Sequence, residues 1–127
     1  MEQRAELPAE AKPATIREIM AKTADWQLAN PNHHHPAAWH QATFYAGLTV
    51  WAQMADSPKY YEALVNIGDK NDWRPHHRFY HADDHAVGQM YVQLYRHYRD
   101  PKMIDICGHL LAFRMSWRCK KSSIKSP

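Results

Sequence analysis

Asp83 and Asp84 are neighbouring carboxylates in the stretch HADDHAVGQMYVQLYRHYRD, residues 81–100. Histidines flank them at His81 and His85, and His77 and Arg78 stand just upstream. A carboxylate among imidazole and guanidinium groups can serve as an acid, a base or an ion-pair partner. The plain alternative is a helix cap, since aspartate at a helix start accepts from free backbone N–H groups. One helix start needs one such cap, which leaves the second aspartate available for other work. The loop leading to the pair, DKNDWRPHHRFY at 69–80, is polar, aromatic and basic. Loops of this composition held between rigid helices often carry function.

Two other groups could do chemistry. Trp39, His40 and Tyr45 lie near the start of a periodic segment. They could form an aromatic platform on which the C–H face of a sugar ring packs. Periodicity alone reads them as core. The loop NPNHHHP at 30–36 carries three consecutive histidines. Histidine-rich tracts hint at metal, but adjacent histidines rarely converge on one ion, so a solvated loop is expected. His81 and His85 have the i, i+4 spacing of a metalloprotease helix without its glutamate. No metal or cofactor is therefore expected, and a histidine-rich metal-binding domain is kept as the weakest alternative.

The elements that must position these groups read as helices throughout. Val87, Met90, Tyr91, Leu94, Tyr95 and Tyr98 make one helical stripe. Asp83 and Asp84 would open that helix, where the dipole favours negative charge, and Asp100-Pro101 would close it. Gly88 inside it costs about 1 kcal/mol relative to alanine, which suggests a close approach to the backbone. Phe44, Leu48, Trp51 and Ala55 form a second stripe, and Tyr61, Leu64 and Val65 a third. Thr15 with Glu18 reads as a capping box, Ser57-Pro58 as a helix restart, and Gly68 as a C′ glycine ending a helix. Pro101 would restart a fifth segment through Met103, Ile104, Cys107 and Leu111. The expected helices are 15–29, 39–55, 58–67 and 84–99, with no strand-like alternation between them.

Composition narrows the function classes. The chain has 127 residues, enough for at most one domain. With 45% hydrophobic residues, 5 Trp and 7 Tyr, it can build a core. A formal charge of +3 is too diffuse to argue for nucleic acid. Cys107 and Cys119 show no metal-ligand spacing. The first residues carry acids and prolines and no apolar run, unlike a signal peptide, so a cytoplasmic location is expected. No run approaches the ~20 apolar residues of a membrane span.

HADDHAVGQMYVQLY resembles the N-terminal half of glycoside hydrolase family 88/105, the unsaturated glucuronyl and rhamnogalacturonyl hydrolases. Three more segments resemble the same family in the same order: ADWQLANP at 24–31, AAWHQATFYAGLTVWAQMADSPKYYEAL at 37–64, and IGDKNDWRPHHRFYHADDH at 67–85. The resemblance implies an all-α chain whose helical hairpins form part of the arc of an (α/α)6 barrel. It divides the chain into a loose arm at 1–13, a partial barrel at 14–104, and a tail at 105–127 that departs from the family. Such a tail fits a reading frame cut or shifted near Ile104. Family members are often exported.

The resemblance also implies a chemistry. A carboxyl group protonates C4 of a 4,5-unsaturated uronic acid at the non-reducing end of an oligosaccharide. Water adds at C5, and the hemiketal opens and expels the rest of the sugar. This differs from displacement at the anomeric carbon by two carboxylates. The family's earlier aspartate corresponds to Asp84 here, with Asp83 the adjacent alternative. Its later aspartate, the principal acid/base, has no match in this chain, so little activity is expected from it alone. Trp39, Tyr45, Trp73, Arg78 and His85 are the expected substrate-binding residues, clustered with Asp84 at one end of the helices. Arg74, Arg78 and His77 are candidates to grip the uronate. The expected partner is an oligosaccharide, with neither nucleic acid nor membrane involved. Self-association through open helical faces is also expected. The alternative is a helical interaction fragment without catalysis.

Overall fold

A computed structural model describes residues 11–78 and 81–106. They fall into two units that divide after Pro31. Residues 1–10 of the expected arm, both cysteines, Leu111 and the tail from 107 lie outside the described residues.

In the first unit, Pro13–Ala29 form α1. Proline occupies the first helical position, where its fixed φ suits the helix and an N–H is not needed. The expected capping box is absent: Lys12 precedes the helix without a side-chain cap, and Thr15 lies within the first turn. Glu18 instead pairs with Lys22 one turn later, at 2.7 Å. At the far end, the Asn30 backbone N–H and side-chain Nδ2 both donate to the Trp26 carbonyl at 2.9 Å.

In the second unit, α2 (Trp39–Met54), α3 (Lys59–Lys70) and α4 (Gly88–Tyr98) pack against one another pairwise. Short 3-10 turns occupy Ala82–His85 and Pro101–Met103. The described residues contain helices and no strand, as expected. None of these helices is long and apolar enough to cross a membrane. The core joins Tyr45, Leu48 and Trp51 of α2 to Tyr60 and Leu64 of α3, and to Met90, Tyr91 and Leu94 of α4. Each fully buried leucine contributes about 1.5–3 kcal/mol. Trp51 meets Tyr60 edge-on at 5.8 Å.

The buried faces differ in detail from the stripes read in sequence. On α2, Leu48 and Trp51 are buried but Phe44 is only half so, and Gln41, Ala42, Tyr45, Thr49 and Ala52 join the buried face. This helix serves two neighbours, so its buried face is wide. On α3 the buried line is Tyr60, Leu64 and Gly68, while Tyr61 stacks on the imidazole of His97 at 4.0 Å. On α4, Val87 to Leu94 follow the expected stripe, but Tyr98 stands 45% exposed past the last buried turn.

Three helix ends also depart from expectation. Gly68 is no C′ residue: α3 runs on to Lys70, and no glycine has positive φ among the described residues. Asp72 and Trp73 take the left-handed conformation instead, with φ of 51° and 54°. That turn folds Trp73 back across α3, where its N–H donates to the Gly68 carbonyl at 2.9 Å. A Cβ on Gly68 would lie 2.5 Å from the Trp73 ring, so glycine is required here by close approach. The fourth helix starts at Gly88, not at Asp84. It ends at Tyr98, with Arg99 left-handed at φ 59° and its N–H bonded to the Tyr95 carbonyl at 2.7 Å. Asp100 then caps the 3-10 turn that Pro101 opens, accepting from the Lys102 N–H at 3.1 Å. The Ser57-Pro58 restart holds in outline: Pro58 is already helical, and the Ser57 hydroxyl accepts from the Lys59 N–H at 3.4 Å.

Candidate active site

Asp84 sits on the 3-10 turn between the 74–78 loop and α4, and is 1% exposed. The turn is not continuous with the α-helix because of its hydrogen bonds. An α-helix would offer the Asp84 carbonyl to the N–H four residues on. Here that carbonyl accepts from the His76 N–H at 2.9 Å, which ties the loop to the turn.

The Asp84 side chain is fixed by one partner. The Arg78 Nε donates to Oδ2 at 3.0 Å and Nη2 to Oδ1 at 2.7 Å. The Arg78 backbone N–H also donates to Oδ2 at 2.7 Å. This two-pronged guanidinium–carboxylate geometry is the strong form of the ion pair. Arg78 holds the Asp84 carboxyl well below the usual carboxylate range, against the opposing effect of burial. Asp84 is therefore ionised at neutral pH and has no proton to supply.

The two adjacent aspartates are now distinct. Asp83 is exposed, with its carboxylate 3.7 Å from His81 Nδ1, and it makes no side-chain cap. His81 is extended and precedes the turn, so His81 and His85 do not share an α-helical face. That removes the geometric basis for their metalloprotease-like spacing. His85 lies half-buried immediately after Asp84.

The other expected site residues are spread more widely. Arg78 is in direct contact with Asp84 and keeps about half its side chain exposed. Trp39 is 44% exposed and stacks on the His40 ring at 4.0 Å. Tyr45 is 4% exposed, and burial pushes its phenol up to about 12. Trp73 is also buried: it meets Tyr91 edge-on at 5.3 Å, and its Nε1 donates to Asp69 Oδ1 at 3.0 Å. Among the described residues, no hydrogen bond or ring contact joins Trp39, Tyr45 or Trp73 to Asp84.

Tyr91 links the core to the loop, because its hydroxyl donates to the Arg74 carbonyl at 2.8 Å. Beyond Arg74, His76 Nε2 and His77 Nδ1 come within 3.1 Å of each other. The His35 ring of the NHHHP loop stacks on His76 at 4.6 Å. His35, Arg74, His76 and His77 line an open groove of about 570 Å³. His77 was expected as a candidate to grip the uronate, but nothing in the sequence indicated that His35 and His76 would join it.

Comparison with known proteins supplies the family. Residues 11–122 match Glycosyl Hydrolase Family 88. The chain belongs to that family. The match continues to residue 122, into the stretch 105–127 that was expected to depart from the family. An Unsaturated 3S-rhamnoglycuronyl hydrolase of Alteromonas sp. is 31% identical over 105 residues, covering 69% of this chain and 24% of that protein. A protein of the same description from Formosa agariphila is 27% identical over 92 residues, covering 72% of this chain and 24% of its own length. The chain thus spans about a quarter of the length of these curated relatives. Family 88 membership agrees with the helical architecture.

Proposed function

We propose that this chain supplies the uronate-engaging part of a hydrolase acting on 4,5-unsaturated uronic acid ends of oligosaccharides, including rhamnose-linked ones. The observation that carries this reading is the buried, ionised Asp84 gripped by a half-exposed Arg78. In the proposed reaction one water adds across the double bond, its proton going to C4 and its oxygen to C5. The resulting hemiketal opens and releases the remaining sugar.

Asp84, ionised, fits the anchor that orients Arg78 toward the substrate. It does not fit the donor to C4, for which the family's later aspartate is the candidate. Arg78 offers its outward edge to the uronate carboxylate, with His85 beside it. Trp39 is the exposed indole available to a sugar face, while the buried Tyr45 and Trp73 serve as supporting walls. This span by itself is expected to bind and to turn over slowly or not at all.

The test measures binding and turnover separately. Titration with an unsaturated uronyl-rhamnose disaccharide should give saturable binding, weakened about tenfold or more in Arg78→Ala, as loss of a charge-assisted hydrogen bond implies. The saturated disaccharide should bind less well. Any loss of the double-bond absorbance should vanish in Asp84→Asn. Binding indifferent to Arg78→Ala would remove the uronate role, and turnover indifferent to Asp84→Asn would remove Asp84 from the chemistry. A second reading, a helical interaction fragment, draws support from the exposed Val50 and Met54 of α2 and Val92 of α4.

A further inference from the structure

The histidines next to Asp84 form an arrangement that hydration of a double bond does not require. One ring nitrogen each of His76 and His77 and a carboxylate oxygen of Asp84 lie within 4.8 Å of one another, and His76 Nε2 stands 3.1 Å from His77 Nδ1. We infer that His76, His77 and Asp84 form a mononuclear site for a divalent transition-metal ion of the zinc class.

The donor spacing suits such an ion. Zinc–imidazole bonds are about 2.0–2.1 Å long. Two such bonds set their nitrogens about 2.9 Å apart at a right angle and about 3.4 Å apart at the tetrahedral angle. The observed 3.1 Å lies between these limits. In the metal-free chain this contact is an imidazole–imidazole hydrogen bond, and the ion takes the place of the shared proton. Adjacent histidines seldom converge, but here the loop is tied down: the His76 N–H is bonded to the Asp84 carbonyl at 2.9 Å.

The carboxylate retains capacity for a metal. An ionised carboxylate has about four acceptor positions, and Arg78 fills three of them through two donors on Oδ2 and one on Oδ1. One position on Oδ1 remains. Arg78 then acts as an outer partner that fixes the orientation of a ligating carboxylate. His35 is not counted among the ligands. Its Nδ1 accepts from the Ala37 N–H at 3.1 Å, which in the neutral ring leaves the proton on Nε2.

The charge count selects the class of ion. Asp84 is already offset by Arg78, so the site offers an ion little net negative charge. Calcium and magnesium depend on several oxygen ligands, usually including carboxylates, and gain little here. Imidazole-binding ions such as zinc, cobalt and nickel tolerate such a site. The groove leaves the remaining coordination positions open to water or a small ligand. On its wall, Asn71 Nδ2 is buried without a hydrogen-bond partner, a donor available to such a ligand.

The experiment uses the whole chain, stripped with a chelator and titrated with Co²⁺ followed by its visible absorbance, then with Zn²⁺ in competition. The expected result is one ion per chain, with Mg²⁺ and Ca²⁺ failing to compete. His77 is exposed, so His77→Ala should keep the fold and weaken binding about tenfold or more, as loss of a ligand implies. His76→Ala and Asp84→Asn should weaken it too, with far-UV circular dichroism reporting on their folding. His33→Ala and His34→Ala should leave it unchanged. Absence of uptake, uptake indifferent to His77→Ala, or uptake lost with His33 and His34 would each overturn the site. The readout is metal binding, so it is independent of the hydrolase reading.

Discussion

Gly68→Ala tests how the loop that carries the site is launched. Its new Cβ would stand 2.5 Å from Cη2, 2.6 Å from Cζ3 and 2.8 Å from Cζ2 of the Trp73 indole. Something must move, and the ring has little freedom. Its backbone is locked in the left-handed turn, its Nε1 is bonded to Asp69, and one edge meets Tyr91. Overpacking a fixed core costs about 1–3 kcal/mol. Alanine returns about 0.8–1 kcal/mol over glycine in helix propensity. Because the obstacle is a rigid ring and not a flexible chain end, the cost should dominate. With the rigid ring placing the cost in the upper part of that range, about 2–3 kcal/mol, the net expectation is destabilisation by about 1–2 kcal/mol. Urea unfolding followed by circular dichroism would read it as a lowered midpoint. In a Trp73→Leu background the obstacle is gone, and the same change should become stabilising by up to about 1 kcal/mol. A Gly68→Ala chain as stable as the parent, with Trp73 present, would refute the close-contact argument. Because Trp73 begins the turn into residues 74–78, the unfavourable variant should also loosen the Arg78–Asp84 pair.

Three further outcomes are expected. Tyr91→Phe removes the hydrogen bond to the Arg74 carbonyl and should cost about 0.5–1.5 kcal/mol in urea unfolding. Arg78 lowers the folded pKa of Asp84, so the pair's contribution is complete above the unfolded value of about 3.9 and drains away as pH falls below it. Arg78→Ala should therefore flatten the dependence of the urea midpoint on pH between about 2 and 4; an unchanged profile would show that the pair carries no linkage. The exposed Val50 and Met54 of α2 should drive concentration-dependent association, seen by sedimentation and suppressed by Val50→Lys with Met54→Lys. A monomer at every concentration would rule that association out.

Much of the helical framework was legible from local chemistry. Val87, Met90, Tyr91 and Leu94 recur at helical spacing; the last three are the residues α4 buries, and Val87 is buried just before it. Ser57 and Pro58 opened α3 because a hydroxyl acceptor and a fixed φ act within one turn. The resemblance around HADDH favoured Asp84 with Asp83 as the adjacent alternative, and Asp84 is the buried member of the pair. Periodicity could not choose between Tyr60 and Tyr61, because either fits an amphipathic helix; contact with Trp51 and His97 decided it. Nor could sequence show that Gly68 makes room for a tryptophan instead of ending a helix, since that depends on two left-handed residues beyond it. The break before α4 has the same origin. The His76 N–H takes the carbonyl that a longer helix would have used, and Arg78 turns the carboxylate into an ion pair. The sequence by itself determined where helices form, because propensity and periodicity act over one or two turns. The tertiary structure decided which groups meet and how Asp84 is charged, because those depend on partners that only the folded chain brings within hydrogen-bond distance.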